Sequence, residues 1–255
     1  MINEAKKSIE RSISEGIKGL GFKKKKHFYY KLIKPNIYAT IGVSSFSALH
    51  VKCRAYSIQI GILYEDVEKI AYELTGINKL ALMRPIMGID IGYLMPENWF
   101  KNWEFSYEFS NEKEFSEMFK AIETYGNAYW EKYSDFDNFF HAFYIREGGI
   151  LNDTRERYLP ILYYMRGEKD KGVEFINETI RRRSIRPTDE ELLAGRDPQS
   201  TIILRAGEGP KLTGDEMEKM LKSLPSGGSL QIVGAGYNGE VDPEYLKFAE
   251  RYKAF

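Results

Sequence analysis

Phe28-Tyr-Tyr-Lys-Leu-Ile-Lys-Pro-Asn-Ile-Tyr-Ala-Thr-Ile-Gly-Val43 reads as two strands folded back at Pro35-Asn36. Proline sets φ for a turn and asparagine tolerates the left-handed region, so this dipeptide punctuates the run. In the second arm Ile37, Ala39, Ile41 and Val43 recur with period two, the spacing that puts every apolar side chain on one face of a sheet. A third, longer strand follows. Leu49, Val51, Cys53 and Ala55 have odd parity, and Ile58, Ile60 and Ile62 have even parity. The switch near Tyr56-Ser57 predicts a bulge, since a regular strand would move its core face there.

Upstream, Ile2, Ala5, Ile9, Ile13, Ile17 and Leu20 recur at helical spacing among charged residues. This predicts an amphipathic helix ending near Gly19 or Gly21. It has no continuous apolar stretch of the kind a secretory signal needs, so a cytoplasmic protein is expected. Downstream, Val67, Ile70, Ala71 and Leu74 predict a short helix. Ile89, Ile91, Tyr93 and Met95 alternate, as do Trp103, Phe105, Tyr107 and Phe109, which predicts two more strands. Asn111 with Glu114 has the form of a capping box before a helix with the stripe Phe115, Met118, Phe119 and Ile122. Phe136, Phe139, Phe140 and Phe143 mark another helix. Asp153 to Arg183 reads as a helical hairpin broken at Gly167.

Ser184 to Ser200 holds Pro187, Gly195 and Pro198 and few apolar residues, so it reads as a linker. Beyond it come a strand from Thr201 to Leu204, a helix capped by Thr213, a strand from Leu230 to Val233 and a helix opened by Pro243. The expected fold is α+β. A mostly antiparallel sheet with flanking helices and a helical hairpin fills residues 1–183, and a small βαβα tail at 201–255 docks on it, being short for independent stability.

Composition narrows function. The 255 residues carry 37 Lys and Arg against 37 Asp and Glu, a net charge of zero. That balance argues against a nucleic-acid coat protein or a disordered acidic tail. One cysteine leaves no intramolecular disulfide and no multi-cysteine zinc or iron–sulfur site. No apolar run approaches the 18 residues or so of a membrane-crossing helix. Locally the charge is polarised. Residues 1–60 hold twelve Lys and Arg against three Asp and Glu, and residues 61–145 hold seven against fifteen, for net charges of +9 and −8.

Motifs for chemistry are weak. Gly234-Ala-Gly236-Tyr-Asn-Gly239 has the form G-x-G-x-x-G, but the chain given continues only to Phe255. No second strand and no acidic residue about 20 positions on completes a dinucleotide site, so the glycines read as a structural loop with no nucleotide. His50 and Cys53 form an H-x-x-C pair whose members would point to opposite faces of a strand, and no cluster supplies further ligands. No catalytic residue, metal or cofactor is expected. Lys23, Lys24, Lys25 and Lys26, followed by His27, Phe28, Tyr29 and Tyr30, are the candidate anion-binding tract, with solvated lysines beside an aromatic strand as the plainer reading.

The stretch Met95-Pro-Glu-Asn-Trp-Phe-Lys-Asn-Trp103 is the stronger candidate. Aromatics clustered in a loop are enriched at interaction sites. The acidic segment also holds all three tryptophans. The candidate partner-binding residues are therefore Glu97, Trp99, Phe100, Trp103, Glu104, Trp130, Asp135 and Asp137, an acidic and aromatic face suited to a basic protein. The competing view puts these rings in the core and pairs the acids with the N-terminal lysines.

Ile17-Lys-Gly-Leu-Gly-Phe-Lys-Lys-Lys-Lys-His-Phe-Tyr-Tyr30 followed by strands and Ile58-Gln-Ile-Gly-Ile-Leu-Tyr64 resembles the bacterial domain-of-unknown-function family numbered 4304, over the first 75 to 130 residues. The resemblance implies a small α+β domain of the bacterial cytoplasm with no assigned catalytic residues. It also implies kinship with accessory binding proteins such as toxin-neutralising immunity proteins, so a basic toxin is the implied partner. The alternative is an enzyme or binding protein acting on nucleotides or nucleic acid through the basic N-terminal half.

Overall fold

The hairpin at Pro35-Asn36 is the centre of the sheet. β2 (Phe28–Lys34) and β3 (Ile37–Ser47) pair antiparallel across it, and Asn36 takes φ +60° to close the turn. The structure is a computed structural model that describes residues 2–48, 52–76, 84–147, 150–185, 188, 201–205, 222, 229–233 and 241–255. Internal contacts divide the chain into two units, Met1–Leu162 and Tyr163–Phe255.

In the first unit, β1 (Lys23–Lys25) lies on the edge beside β2, and β4 (Cys53–Tyr64) pairs with β3. β4 then takes two partners on its far side, β5 (Met87–Asp90) and β6 (Trp103–Ser106). All these pairs are antiparallel. The expected bulge at Tyr56-Ser57 is absent: β3 and β4 stay in register from Ile37↔Tyr64 to Ser47↔Arg54. Ala55, Tyr56, Ser57 and Ile58 are all buried, so both faces of the sheet are covered there. The apolar parity can then change without the chain turning over. The register shift lies instead in β2, between Leu32 and Lys34.

One face carries Tyr56, Ile58, Ile60, Ile62 and Tyr64, all buried. Against it lie α3 (Glu112–Ala121), a π-helical turn (Ile122–Gly126) running into α4 (Asn127–Tyr133), and α5 (Phe136–Ile145). The Tyr64 ring stacks on Phe139 with centroids 4.3 Å apart, and its hydroxyl donates to the Tyr133 carbonyl at 2.7 Å. α1 (Ile2–Gly19) buries Ile9, Ile13 and Ile17 as its spacing requires. It ends in a Schellman-type cap: Gly21 at φ +89°, with Phe22 N–H donating to the Ile17 carbonyl and Gly21 N–H to the Lys18 carbonyl. α1 passes so close to α3 that a Cβ on Gly16 would sit 2.0 Å from the Phe119 ring. α2 (Glu65–Thr75) follows β4 directly.

The expected capping box at Asn111 is replaced by a different bond pair. The Asn111 side chain accepts from the Ser106 N–H at 2.7 Å and donates to the Ser106 carbonyl at 2.9 Å. It thus acts as a neighbouring strand would, closing the β6 edge at that residue.

α6 (Asn152–Met165) and α7 (Lys169–Arg183) form the expected hairpin elements, with Gly167 at φ +75° in the turn. The division between units falls inside α6, where the sequence suggested a boundary after Arg183. In the second unit α8 (Pro243–Ala254) packs on α7. A Cβ on Gly172 would meet the Tyr252 hydroxyl at 2.1 Å, so this close helix crossing depends on glycine. β7 (Thr201–Arg205) and β8 (Ser229–Val233) pair parallel. Ser184, Ile185 and Thr188 excepted, the expected linker lies outside the described residues, as do Thr213 and the Gly234–Gly239 loop. The chain is α+β with a mostly antiparallel sheet. Among the described residues no helix is long and apolar enough to cross a membrane.

Candidate functional site

The second edge of β4 is interrupted. β5 pairs with Gln59–Ile62 and β6 with Cys53–Tyr56, both antiparallel to β4, so they run in the same direction along one edge. Between them the chain leaves the sheet at Ile91 and returns at Trp103, passing only Ser57 and Ile58 of β4. The expected strand through Ile91, Tyr93 and Met95 is therefore cut short. After Asp90 the chain coils into a 3₁₀ turn, Ile91–Leu94.

Asp90 stands at the point of departure and bonds to both ends of the excursion. Its Oδ1 accepts from the Gly92 N–H at 3.0 Å and from the Lys101 N–H at 3.4 Å. Burial pushes the Asp90 carboxyl above the usual carboxylate range despite the two N–H donors. Inside the neck a Cβ on Gly92 would lie 2.2 Å from the Trp99 carbonyl oxygen and 2.5 Å from the Lys101 nitrogen. Both are backbone atoms, so only glycine fits. Turns at Met95 and Asn98, the latter with φ +48°, complete the excursion.

On the returning arm Trp99 is 74% exposed, and Tyr93, Glu97 and Phe100 are also exposed. The Phe100 ring lies 5.9 Å from the ring of Phe46 on β3. Phe46 pairs with Ala55, and Ala55 with Glu104 on β6, so the three form one row on one face of the sheet. At about 4.8 Å between strands, Glu104 stands roughly 10 Å along the sheet from Phe46. The excursion and this row form an aromatic surface with an acidic margin: Trp99, Phe100 and Phe46, with Glu97 and Glu104. Phe46 and Asp90 were missed by sequence reading. An aromatic among Ser44, Ser45 and Ser47, and an Asp-x-Gly after an apolar strand, were the available signals.

The other candidates fall elsewhere. Trp103 is 3% exposed and faces the helices with Tyr56, with the Lys101 ammonium 5.8 Å from its ring centre. Trp130 on α4 is 4% exposed, donates its indole N–H to the Gly61 carbonyl at 2.9 Å, and packs 5.2 Å from the Phe22 ring. Both are core residues that present no ring to the surface, so they are removed from the candidate set. Asp135 caps α5 by accepting from the Asn138 N–H at 2.9 Å, and Asp137 sits in the first turn. Carboxylates there complement the helix dipole. α5 packs at the Tyr64 end of β4, nine residues from Ala55, about 30 Å at the usual strand rise. Asp135 and Asp137 therefore do not join the Trp99 surface.

Lys23, Lys24 and Lys25 form the edge strand β1, and Lys26 forms its turn at φ +57°. Alternation sends Lys23 and Lys25 to one face and Lys24 to the other, where its ammonium lies 5.4 Å from the Tyr29 ring centre. The tract therefore does not present all its cations on one face. Lysines on an edge strand discourage pairing with another chain, which accounts for the tract structurally. The basic and acidic segments are bridged by Lys52 and Glu108 at 2.6 Å.

Cys53 is half-buried, and His50 lies outside the described residues. Among the described residues no group of three or more His, Cys, Asp or Glu is placed to hold a metal. Glu68 is a buried acid whose Oε1 accepts from the Tyr158 hydroxyl at 2.5 Å. Burial raises its carboxyl, and the neighbouring Tyr72 phenol is pushed up to about 12. This network joins α2 to α6 with its acceptor used internally. No family model, curated protein or solved structure matches the chain.

Proposed function

We propose that the chain is a non-enzymatic bacterial protein-binding module acting in the cytoplasm, and that it docks a basic protein on the Trp99 surface. Its most concrete form is an immunity-type inhibitor that masks a toxin acting on nucleic acid. The observation that carries this reading is Trp99 itself, a large ring left 74% exposed on a loop fastened at both ends. Tryptophan leads the residues that dominate binding energy. A fastened loop has already lost the freedom that docking would otherwise remove. Glu97 and Glu104 at the margin would steer a basic partner and speed its association. The resemblance of residues 17–64 to the family numbered 4304 belongs to the same proposal. The nucleic-acid reading has less support, because the four lysines do not converge on one face.

The test is site-specific photocrosslinking in cells of the native host, with the reactive residue at position 99 or, as control, at position 137. The proposal expects one dominant adduct from position 99, to a protein of basic isoelectric point, and none of that mass from position 137. The same adducts from both positions, or an adduct to nucleic acid, would reject it.

A further inference from the structure

We infer that Asp90 is the positioning residue of the docking surface: its carboxylate holds the Ile91–Asn102 excursion closed and so sets the pose of Trp99. This rests on the reading of the Trp99 surface given above, and it concerns how that surface is made. A loop of twelve residues inserted between two strands of one edge has no ladder of its own, so its conformation depends on what ties its ends. The tie is a single side chain. Oδ1 of Asp90 accepts from Gly92, the second residue out, and from Lys101, the second-last residue back.

Three further features fit this role. Asp90 sits at the last ladder position of β5, opposite Gln59, so its backbone is fixed by the sheet while its side chain reaches the loop. Gly92 lets the outgoing and returning chains touch, with the Trp99 carbonyl and the Lys101 nitrogen where any Cβ would stand. The second carboxylate oxygen, Oδ2, is buried and makes no hydrogen bond among the described residues. The acid therefore keeps a desolvated oxygen that brings no bond of its own. Asparagine can supply the same Oδ1 acceptor, whereas alanine supplies none.

The isolated full chain suffices to test this. Hydrogen exchange at the Gly92 and Lys101 amides is measured in wild type, Asp90→Asn and Asp90→Ala, with the β4 amides of Ile60 and Ile62 as internal reference. The ¹⁹F spectrum of 5-fluorotryptophan protein reports the Trp99 ring, assigned through Trp99→Phe. Asp90→Ala should speed exchange at both neck amides at least tenfold relative to the β4 reference and shift or broaden the Trp99 resonance, leaving those of Trp103 and Trp130 in place. Asp90→Asn should restore both readouts. If Asp90→Ala does not fold, Lys101→Pro removes one donor with Asp90 intact, and it should speed exchange at Gly92 and perturb the Trp99 resonance. Unchanged neck exchange and an unchanged Trp99 resonance would overturn the inference, as would acceleration spread equally over β4. No partner enters these measurements, so the clamp can fail with the docking reading intact, and the reverse.

Discussion

Trp103 and Trp130 are equally buried, yet the structure makes them unequal. At 3% and 4% exposure both rings contribute to the core. The Trp130 N–H donates to the Gly61 carbonyl at 2.9 Å, whereas the buried Trp103 N–H has no hydrogen-bond partner among the described residues. Replacing each by phenylalanine removes a similar volume. At position 130 it also deletes a hydrogen bond worth about 0.5–1.5 kcal/mol net. At position 103 it removes a polar group whose unpaired burial already costs about 1–3 kcal/mol. Trp130→Phe should therefore be the more damaging, by about 1.5–4.5 kcal/mol. Trp99 completes the comparison. A tryptophan buries at most about 250 Å², and a ring left 74% exposed retains about a quarter of that. At about 25 cal/mol per Å², Trp99→Ala then costs at most about 1.5 kcal/mol, against about 3–5 kcal/mol for a buried tryptophan cut to alanine. Urea unfolding followed by near-UV and far-UV circular dichroism measures all three. A Trp103→Phe loss equal to or greater than that of Trp130→Phe, or a loss of 3 kcal/mol or more for Trp99→Ala, would be incompatible with these three environments.

Gly92→Ala should distort the excursion, because the added carbon meets two backbone atoms. The Trp99 emission should shift while the sheet's far-UV signal is kept. Asn111→Ala should cost about 1–2 kcal/mol for its two lost bonds to Ser106 and expose the β6 edge, read as greater self-association in sedimentation velocity. Glu68 has its folded-state carboxyl raised by burial, so the folded chain holds that proton more tightly than the unfolded one. Its contribution to stability then declines as pH rises from the ordinary carboxylate range through the raised value. Glu68→Gln, measured by thermal unfolding, should accordingly gain on wild type between pH 4 and pH 7.

Where local pattern and packing agree, the elements were readable in advance. The Ile9, Ile13 and Ile17 stripe, the Pro35-Asn36 turn, the Ile37-to-Val43 alternation and the Gly167 break all describe local chain geometry. The misreadings arose where a side chain acts across the fold. Asp90 spends its carboxylate on two loop amides and ends β5 early, which period-two alternation through Ile91 and Tyr93 cannot show. Asn111 serves a strand edge rather than the helix it precedes. The candidate site was legible only in part for the same reason. Composition marks the tryptophans alike, and exposure of Trp99 against burial of Trp103 follows from which residues leave the sheet edge. Asp135 and Asp137 share a charged segment with Glu97 but stand at the other end of β4.

On the proposed function, Trp99 anchors a basic protein partner. The most direct test is the dissociation constant of wild type and Trp99→Ala for the purified protein crosslinked from position 99, with thermal unfolding recorded on the same samples. A hot-spot anchor predicts a loss of about 2 kcal/mol, roughly thirtyfold in affinity, with the melting transition nearly unchanged. Unchanged affinity in Trp99→Ala would contradict the claim, as would binding that survives there but is abolished by reversing the charges of Lys23 to Lys26.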